Sequence, residues 1–223
     1  MSEIVLLADR RVIKLPVVES GEPLVDLRTV DVLRLDDRLA DSEGAYAHVR
    51  LSVADRLVAA QTFLPRGLRL LVVEGYRPMA LQRRYFTEYH AQLRADHPEW
   101  SDERIRRQAS RYIAPPEAAP HVAGAAVDLT LATGGGVELP MGTEVNADPE
   151  GCDSACYTAA AVSPQAVANR KVLVSALTAV NLVNYPTEWW HWSYGDRYWA
   201  FVSGAAAACY GPVSHVDQAR TRR

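Results

Sequence analysis

Residues 120–131 read PHVAGAAVDLTL, a small and apolar stretch that carries one imidazole and one carboxylate, those of His121 and Asp128. The alternation and branching in VDLTL are typical of a buried strand. Such a strand excludes ionisable side chains unless partners compensate them, because an unpaired buried charge costs several kcal/mol. The stretch therefore predicts a central strand, with partners for His121 and Asp128 supplied from elsewhere in the chain.

The spacing of His121 and Asp128 predicts a break in the backbone between them. Successive side chains of a strand point to opposite faces, so a spacing of seven would direct the two groups apart. Gly124 lies between them, and glycine adopts conformations that end a regular element. We therefore expect the chain to turn at Gly124, so that both side chains point to one place.

A second polar cluster lies in TEWWHW, residues 187–192, where Glu188 and His191 stand among three tryptophans. Residues three apart share one side of a helical turn and lie on opposite faces of a strand, and the sequence leaves both conformations open. In either one, bulky aromatic neighbours exclude water and raise the pKa of a carboxyl group. Such a carboxyl suits a general acid or base.

His121, Asp128 and His191 together form a plausible three-ligand zinc set that leaves a fourth position for water, as catalytic zinc sites do. Glu188 would then accept a proton from that water. Each motif is weak alone, because a lone histidine is more often a core residue than a ligand. In combination they predict one Zn²⁺ per chain.

The remaining patterns predict alternating helices and strands in one domain, residues 1–210, followed by a polar tail, residues 211–223. An apolar run at residues 68–73 predicts a second buried strand. Residues 143–162 predict a long irregular loop. Helical patterns cover residues 46–63, residues 79–95, a short segment that opens at Ser101, and Ser163 to about Val180.

Composition excludes several classes of partner. The 223 residues carry a net charge of −3 with a pI near 6.1, so neither nucleic acid nor an anionic membrane has a general electrostatic attraction to the chain. The apolar run Ile4–Leu7 is too short for a signal segment or a membrane span. Three cysteines, an odd number, favour a reducing compartment. We expect a cytoplasmic protein that acts on a small or peptidic substrate; the sequence makes no prediction for the oligomeric state.

Four motifs occur together: EGYRP at 74–78, HVAGAAVDLTL at 121–131, PMGT at 140–143 and EWWH at 188–191. In residues, order and separation they resemble the VanX-type D-alanyl-D-alanine dipeptidases over roughly residues 20–200. These are zinc D,D-peptidases related in fold to the hedgehog signalling domain. The resemblance implies an α+β fold with a central antiparallel sheet flanked by helices.

The resemblance also implies roles for individual residues. His121, Asp128 and His191 match the family's zinc ligands, and Glu188 matches its general base. Arg77 matches an arginine that stabilises the oxyanion as water attacks the amide carbonyl. The alternative for Arg77 is a surface ion pair with the nearby Glu74.

Departures from the family pattern concern substrate recognition. Ala119 replaces a serine, and Asn146 replaces an aspartate that holds the substrate's free ammonium in the family. An uncharged amide cannot supply the same attraction to an ammonium. The substrate-binding candidates are Asn146, Ala119, Tyr76 and Trp190.

Three functions compete. The first is zinc-dependent hydrolysis of a dipeptide or dipeptide-like amide, for cell-wall dipeptide turnover or another small substrate. The others are D,D-carboxypeptidase action on peptidoglycan stems and a zinc-stabilised binding protein without turnover. Cys152 and Cys156 in the long loop fit a redox pair, a metal clip or two ordinary thiols.

Overall fold

Seven strands and six α-helices form residues 4–213, the part of the chain that the computed structural model describes. The helices are α1 Arg10–Ile13, α2 Leu51–Thr62, α3 Met79–Asp96, α4 Asp102–Ala109, α5 Pro164–Thr178 and α6 Arg197–Ser203. The strands are β1 Leu24–Asp26, β2 Arg34–Leu35, β3 His48–Arg50, β4 Leu68–Glu74, β5 Ala126–Thr133, β6 Val183–Asn184 and β7 His191–Ser193.

Five strands form the central sheet in the order β2-β4-β5-β7-β6, while β1 and β3 pair as a separate antiparallel ribbon. Neighbours from β4 to β6 are antiparallel. The edge strand β2 runs parallel to β4, so the expected antiparallel sheet holds for four of the five strands. A parallel pair needs a long crossover, and β3 with α2 supplies it between β2 and β4. The chain is a mixed α+β domain.

The main core lies on one face of β4 and β5. Val127, Leu129 and Leu131 alternate along β5 and pack with Leu57 of α2 and Leu173 of α5, all with at most 1% of their surface exposed. Because strand side chains alternate, the residues between them, including Asp128, face the other side of the sheet. The polar residues of β5 thus lie opposite its apolar core face.

A β-bulge near the end of β4 aligns three polar residues across the sheet. The register shifts between Val72 and Glu74, which leaves Val73 as the extra residue. Glu74 then pairs with Asp128 of β5, and Asp128 pairs with His191 of β7. Directly opposed residues share one face, so these three side chains form a row across β4, β5 and β7.

The helix predicted over residues 46–63 begins only at Leu51. Residues 48–50 pair with Leu24–Asp26 as a strand, and this tertiary pairing replaces the first turn of the predicted helix. The predicted strand at 68–73 and helix at 79–95 are confirmed as β4 and α3. Ser163 caps α5 as predicted, its side chain accepting from the Ala166 N–H at 3.2 Å.

The long loop, residues 143–162, contains no helix or strand. The buried guanidinium of Arg170 holds it in place. Arg170 of α5 is 3% exposed and donates to three backbone carbonyls, those of Met141, Ala155 and Tyr157, at 2.7–2.8 Å. A guanidinium satisfies several carbonyls at once because its donors are fixed in one plane. The loop is therefore anchored to α5 by hydrogen bonds.

The start of the predicted tail contacts the domain. Gly211 donates to Glu19 at 2.7 Å, and the Val213 N–H donates to the Val122 carbonyl at 3.0 Å. Residues 214–223 of the predicted tail lie outside the described residues. No helix within residues 4–213 is long and apolar enough to span a membrane.

Candidate active site

His121, Asp128 and His191 meet at one point on the polar face of the sheet. The His191 Nδ1 atom is 2.9 Å from Asp128 Oδ1 and 3.1 Å from His121 Nε2, and His121 Nε2 is 3.3 Å from Asp128 Oδ1. All three residues are buried. Two nitrogens and one oxygen therefore form a small triangle, contributed by a 3₁₀ turn, by β5 and by β7.

The break predicted at Gly124 creates this arrangement. His121 lies on the 3₁₀ turn Pro120–Ala123, which ends at Gly124 in the left-handed conformation with φ of 64°. The chain then enters β5 at Ala126, two residues before Asp128. The imidazole therefore comes from a turn and the carboxylate from a strand. The two side chains can then point to one place, which an unbroken strand would not allow.

Gly124→Ala is expected to lower the free energy of unfolding by about 1–3 kcal/mol, because the left-handed backbone is strained for alanine. A Cβ at this position would also clash with Leu24 Cδ2. Urea denaturation measures the change. Gly21→Ala is the control, since Gly21 has φ of 75° with no atom within 4 Å of its Cβ position. Equal losses in the two variants would show that crowding at Gly124 contributes nothing.

The donor triangle fits zinc. The His121 Nδ1–H donates to the Gly75 carbonyl at 2.6 Å, because a carbonyl can only accept. In the neutral ring, Nε2 then carries the lone pair and faces Asp128 and His191. A tetrahedral zinc site with bonds of about 2.0–2.2 Å has edges of about 3.3–3.6 Å. The observed triangle needs little expansion to accept the ion.

Burial and mutual contact set the charges in the cluster. Burial alone raises the pKa of Asp128, but the His121 and His191 imidazoles outweigh it and hold that pKa far below its usual range. Burial lowers the pKa of His121, yet the Asp128 carboxylate outweighs burial and leaves it raised. Burial lowers the pKa of His191. Asp128 is therefore an anionic donor, as a cation site requires.

Glu188 lies beside this triangle at the end of a tight turn. Its N–H donates to the Tyr185 carbonyl at 2.9 Å, and its own carbonyl accepts from the His191 N–H at 3.3 Å. The turn brings Glu188 Oε2 to 3.8 Å from His191 Nδ1. Burial, and then the charge of Asp128, raises the pKa of Glu188 well above its usual value. The carboxylate form therefore has an increased affinity for a proton.

Arg77 follows β4 and lies on the same side of the sheet. Its Nε donates to Glu74 Oε1 at 2.8 Å, and its Nη2 bonds to Glu74 Oε2. The ion pair with Glu74 therefore forms, but it is largely buried at the site and not on the surface. The backbone N–H of Arg77 donates to the His121 carbonyl at 3.2 Å. This bond joins the segment after β4 to the 3₁₀ turn that carries His121.

A cavity of about 380 Å³ opens onto these groups. Of the four substrate-binding candidates, Ala119 and Asn146 line it. Tyr76 does not, because its side chain packs with Leu24 and donates to the Val213 carbonyl at 2.7 Å. Trp190 is fully buried in the main core. The structure thus places Tyr76 and Trp190 away from the cavity.

Several polar residues that the sequence did not single out as site residues also line the cavity, among them Gln82, Tyr85, Tyr89 and Tyr112. Tyr85 and Tyr89 are four residues apart in α3, a spacing that places them on one face of the helix. The presence of tyrosine, and not an aliphatic residue, at two successive turns of that face could have identified them as cavity residues, since a buried hydroxyl needs a partner. Tyr89 donates to Asp148 at 2.8 Å, and Tyr112 donates to the Asn146 carbonyl at 2.9 Å.

The acidic residues and thiols of the long loop lie outside the cavity lining. Glu150 is 3.8 Å from His97, and Asp148 accepts from Tyr89 and from the Gly151 N–H. Cys152 and Cys156 are free thiols. Burial raises the pKa of Cys156 to about 12, so this thiol is a poor nucleophile and metal ligand.

The chain matches the model of the D-ala-D-ala dipeptidase family, Peptidase M15, over residues 36–204. It is 28% identical over 219 residues to a D-alanyl-D-alanine dipeptidase of Synechocystis sp., which covers 84% of this chain and 87% of that protein.

Two solved structures are similar at lower identity. VanYB in complex with D-alanine-D-alanine is 17% identical with a TM-score of 0.41, covering 82% of this chain and 88% of that one. The LdcB LD-carboxypeptidase is 19% identical with a TM-score of 0.45, covering 83% and 73%. Because the family model spans most of the chain, the protein belongs to the D-ala-D-ala dipeptidase family of zinc metallopeptidases.

Proposed function

We propose that the protein hydrolyses the amide bond of a dipeptide or a dipeptide-like compound, with Glu188 as general base and Arg77 as oxyanion stabiliser. The observation that carries the proposal is the position of Glu188, a buried carboxyl of raised pKa 3.8 Å from His191 in the cavity. His121, Asp128 and His191 would hold the ion.

The residues of the chain divide the reaction between them. When bound, zinc polarises the scissile carbonyl and makes water acidic. Glu188 takes the proton of the attacking water and gives it to the amine nitrogen as the C–N bond breaks. The products are a carboxylic acid and an amine. Arg77 directs N–H donors at the carbonyl oxygen, on which negative charge develops.

The size of the cavity and the name of the Synechocystis relative support a small D,D-dipeptide as substrate class. Zinc-loaded protein is expected to cleave free or N-blocked D,D-dipeptides and to lose this activity with a chelator. A panel of D,D-, L,D- and L,L-dipeptides, with pentapeptide stems included, tests the class. Cleavage of stems alone would replace the proposal with D,D-carboxypeptidase action.

Two finer features belong to the same proposal. The first is a fold related to the hedgehog signalling domain, which the sequence resemblance to the zinc D,D-peptidases implies. A cytoplasmic location is supported by the free thiols Cys152 and Cys209, which are half-buried, since accessible thiols persist in reducing compartments.

Asn146→Asp is expected to shift kcat/KM toward dipeptides with a free ammonium, relative to their N-acetyl forms, by about 1–3 kcal/mol. Asn146 lines the cavity, and its backbone φ of 62° is one that asparagine and aspartate both tolerate. A carboxylate there would add a charge-assisted contact that the amide lacks. Steady-state kinetics on paired free and N-acetyl substrates measure the shift.

Asn181→Asp is the matched control for this experiment. Asn181 also has a left-handed backbone, with φ of 61°, but it is exposed and does not line the cavity. It should leave the preference for free or acetylated substrates unchanged. If Asn146→Asp behaves like Asn181→Asp and the natural chain already prefers free dipeptides, then residue 146 does not set this preference.

A further inference from the structure

Gln82 lines the cavity and contacts Arg77. It is the fourth residue of α3, where its N–H donates to the Pro78 carbonyl at 3.0 Å in the first turn. Its side chain is fully buried although some of its atoms line the cavity. A long polar side chain is rarely buried without a specific set of partners.

Both ends of the Gln82 amide are bonded. Its Oε1 accepts from Arg77 Nη1 at 2.8 Å, and its Nε2 donates to the Ala114 carbonyl at 2.7 Å. A guanidinium can only donate and a carbonyl can only accept, so a single orientation of the amide satisfies both partners. Gln82 therefore connects Arg77 to Ala114, which also lines the cavity.

The contacts of Arg77 leave part of its guanidinium for a ligand. The group has five N–H donors. Glu74 accepts from Nε and Nη2, and Gln82 accepts from Nη1. Within residues 4–213, no protein group accepts from the second N–H of Nη1 or of Nη2. Because Arg77 lines the cavity, these two N–H groups are available to a bound carbonyl.

Glu74 and Gln82 together hold the Arg77 guanidinium, which Glu74 alone would hold on one side only. Glu74 holds the Nε and Nη2 side of the guanidinium but does not contact Nη1. Gln82 fixes Nη1, and as a neutral amide it does so without adding a second negative charge beside Arg77. Among residues 4–213, Glu74 is therefore the one carboxylate that forms a direct ion pair with Arg77.

We propose that Gln82 is a positioning residue that holds Arg77 so that its two remaining N–H groups point at the scissile carbonyl. The proposal rests on the role of Arg77 proposed above. An electrostatic donor is effective when it is already oriented before charge develops. A loosened guanidinium would therefore bind the substrate nearly as well but stabilise the transition state less.

Gln82→Met should lower kcat by about 10- to 30-fold with KM changed less than about threefold, a smaller loss than the 10²–10³-fold typical of removing a direct oxyanion donor. Gln61→Met is the matched control. Gln61 is also buried with both amide ends bonded, to Leu68 and Leu70 at 2.9 Å, but it lies outside the cavity lining. It should lose stability and keep kcat.

A double-mutant cycle separates positioning from a general structural effect. Arg77→Lys removes Nη1, so Gln82→Met should cause no further loss of kcat in the Arg77→Lys background. Additive losses would overturn the proposal, as would a change in KM alone. If Gln82→Met does not fold, Gln82→Asn serves instead, because it keeps the amide but is one methylene too short to span both partners.

A measurement independent of catalysis keeps the two proposals distinguishable. In ¹⁵N NMR spectra, the Arg77 Nη1 protons should be resolved in the natural chain and averaged by rotation in Gln82→Met. Unchanged Arg77 signals in that variant would overturn the positioning role. Normal activity of Arg77→Lys, with the NMR change still present, would instead overturn the oxyanion role and leave the restraint by Gln82 established.

Discussion

Glu188→Gln is expected to lower kcat by about 10²- to 10⁴-fold while the protein keeps its fold and its zinc. Glutamine has nearly the same size as glutamate, and the Glu188 side chain is not one of the three triangle atoms that would bind the ion. The amide cannot accept the proton of the attacking water, so the loss falls on kcat and not on zinc content. Steady-state kinetics, metal analysis and thermal unfolding on the same preparation separate these quantities.

Two results would contradict this role for Glu188. Turnover within about tenfold of the natural rate would show that the carboxylate only orients the site, since loss of a general base costs more. A loss of zinc together with activity would make Glu188 part of the metal site. Glu88→Gln removes a carboxylate that also lines the cavity but is 66% exposed, and it tests whether any loss of negative charge has the same effect.

His121→Ala is expected to abolish activity by preventing stable zinc binding. The variant keeps only Asp128 and His191 of the triangle, and two ligands hold zinc poorly compared with three. It should lose zinc to a chelator that leaves the natural chain loaded. Zinc at about 1,000 times its dissociation constant stabilises a folded protein by about 4 kcal/mol, and this gain should disappear in the variant.

His48→Ala provides the comparison for the zinc experiment. His48 Nδ1 contacts the Gly44 carbonyl at 2.8 Å, much as His121 Nδ1 contacts Gly75, but His48 lies outside the cluster. Its replacement should leave zinc content and chelator resistance unchanged. Full zinc occupancy of His121→Ala under the same challenge would remove His121 from the proposed ligand set.

The chemistry-bearing residues were predictable because they interrupt apolar sequence. His121, Asp128, Glu188 and His191 stand among small or aromatic residues, where an ionisable group is costly without a partner, and the structure brings them together. The break at Gly124 was also predictable, because a spacing of seven in an unbroken strand would direct His121 and Asp128 to opposite faces.

The surroundings of these residues were less predictable because they depend on tertiary contacts. The pairing of Glu74 with Asp128 follows from a bulge that no local pattern reveals. In the sequence, Gln82 looks like an ordinary polar residue of a helix. Its role depends on contacts with Arg77 and Ala114 that only the fold creates. Tyr76 and Trp190 were substrate-binding candidates, but side-chain direction is set by packing, and both point into apolar clusters.

The row of Glu74, Asp128 and His191 across three paired strands has a consequence for how this protein can be altered. These positions are fixed by the sheet, whereas Asn146 lies on a loop and Tyr85 and Tyr89 lie on a helix that borders the cavity. The row therefore belongs to the sheet, whereas the proposed substrate-contacting residues lie on a loop and a helix. Variants selected at Asn146, Tyr85 and Tyr89 should change substrate choice with the reaction intact, which makes these three positions the natural starting library for redirecting the enzyme.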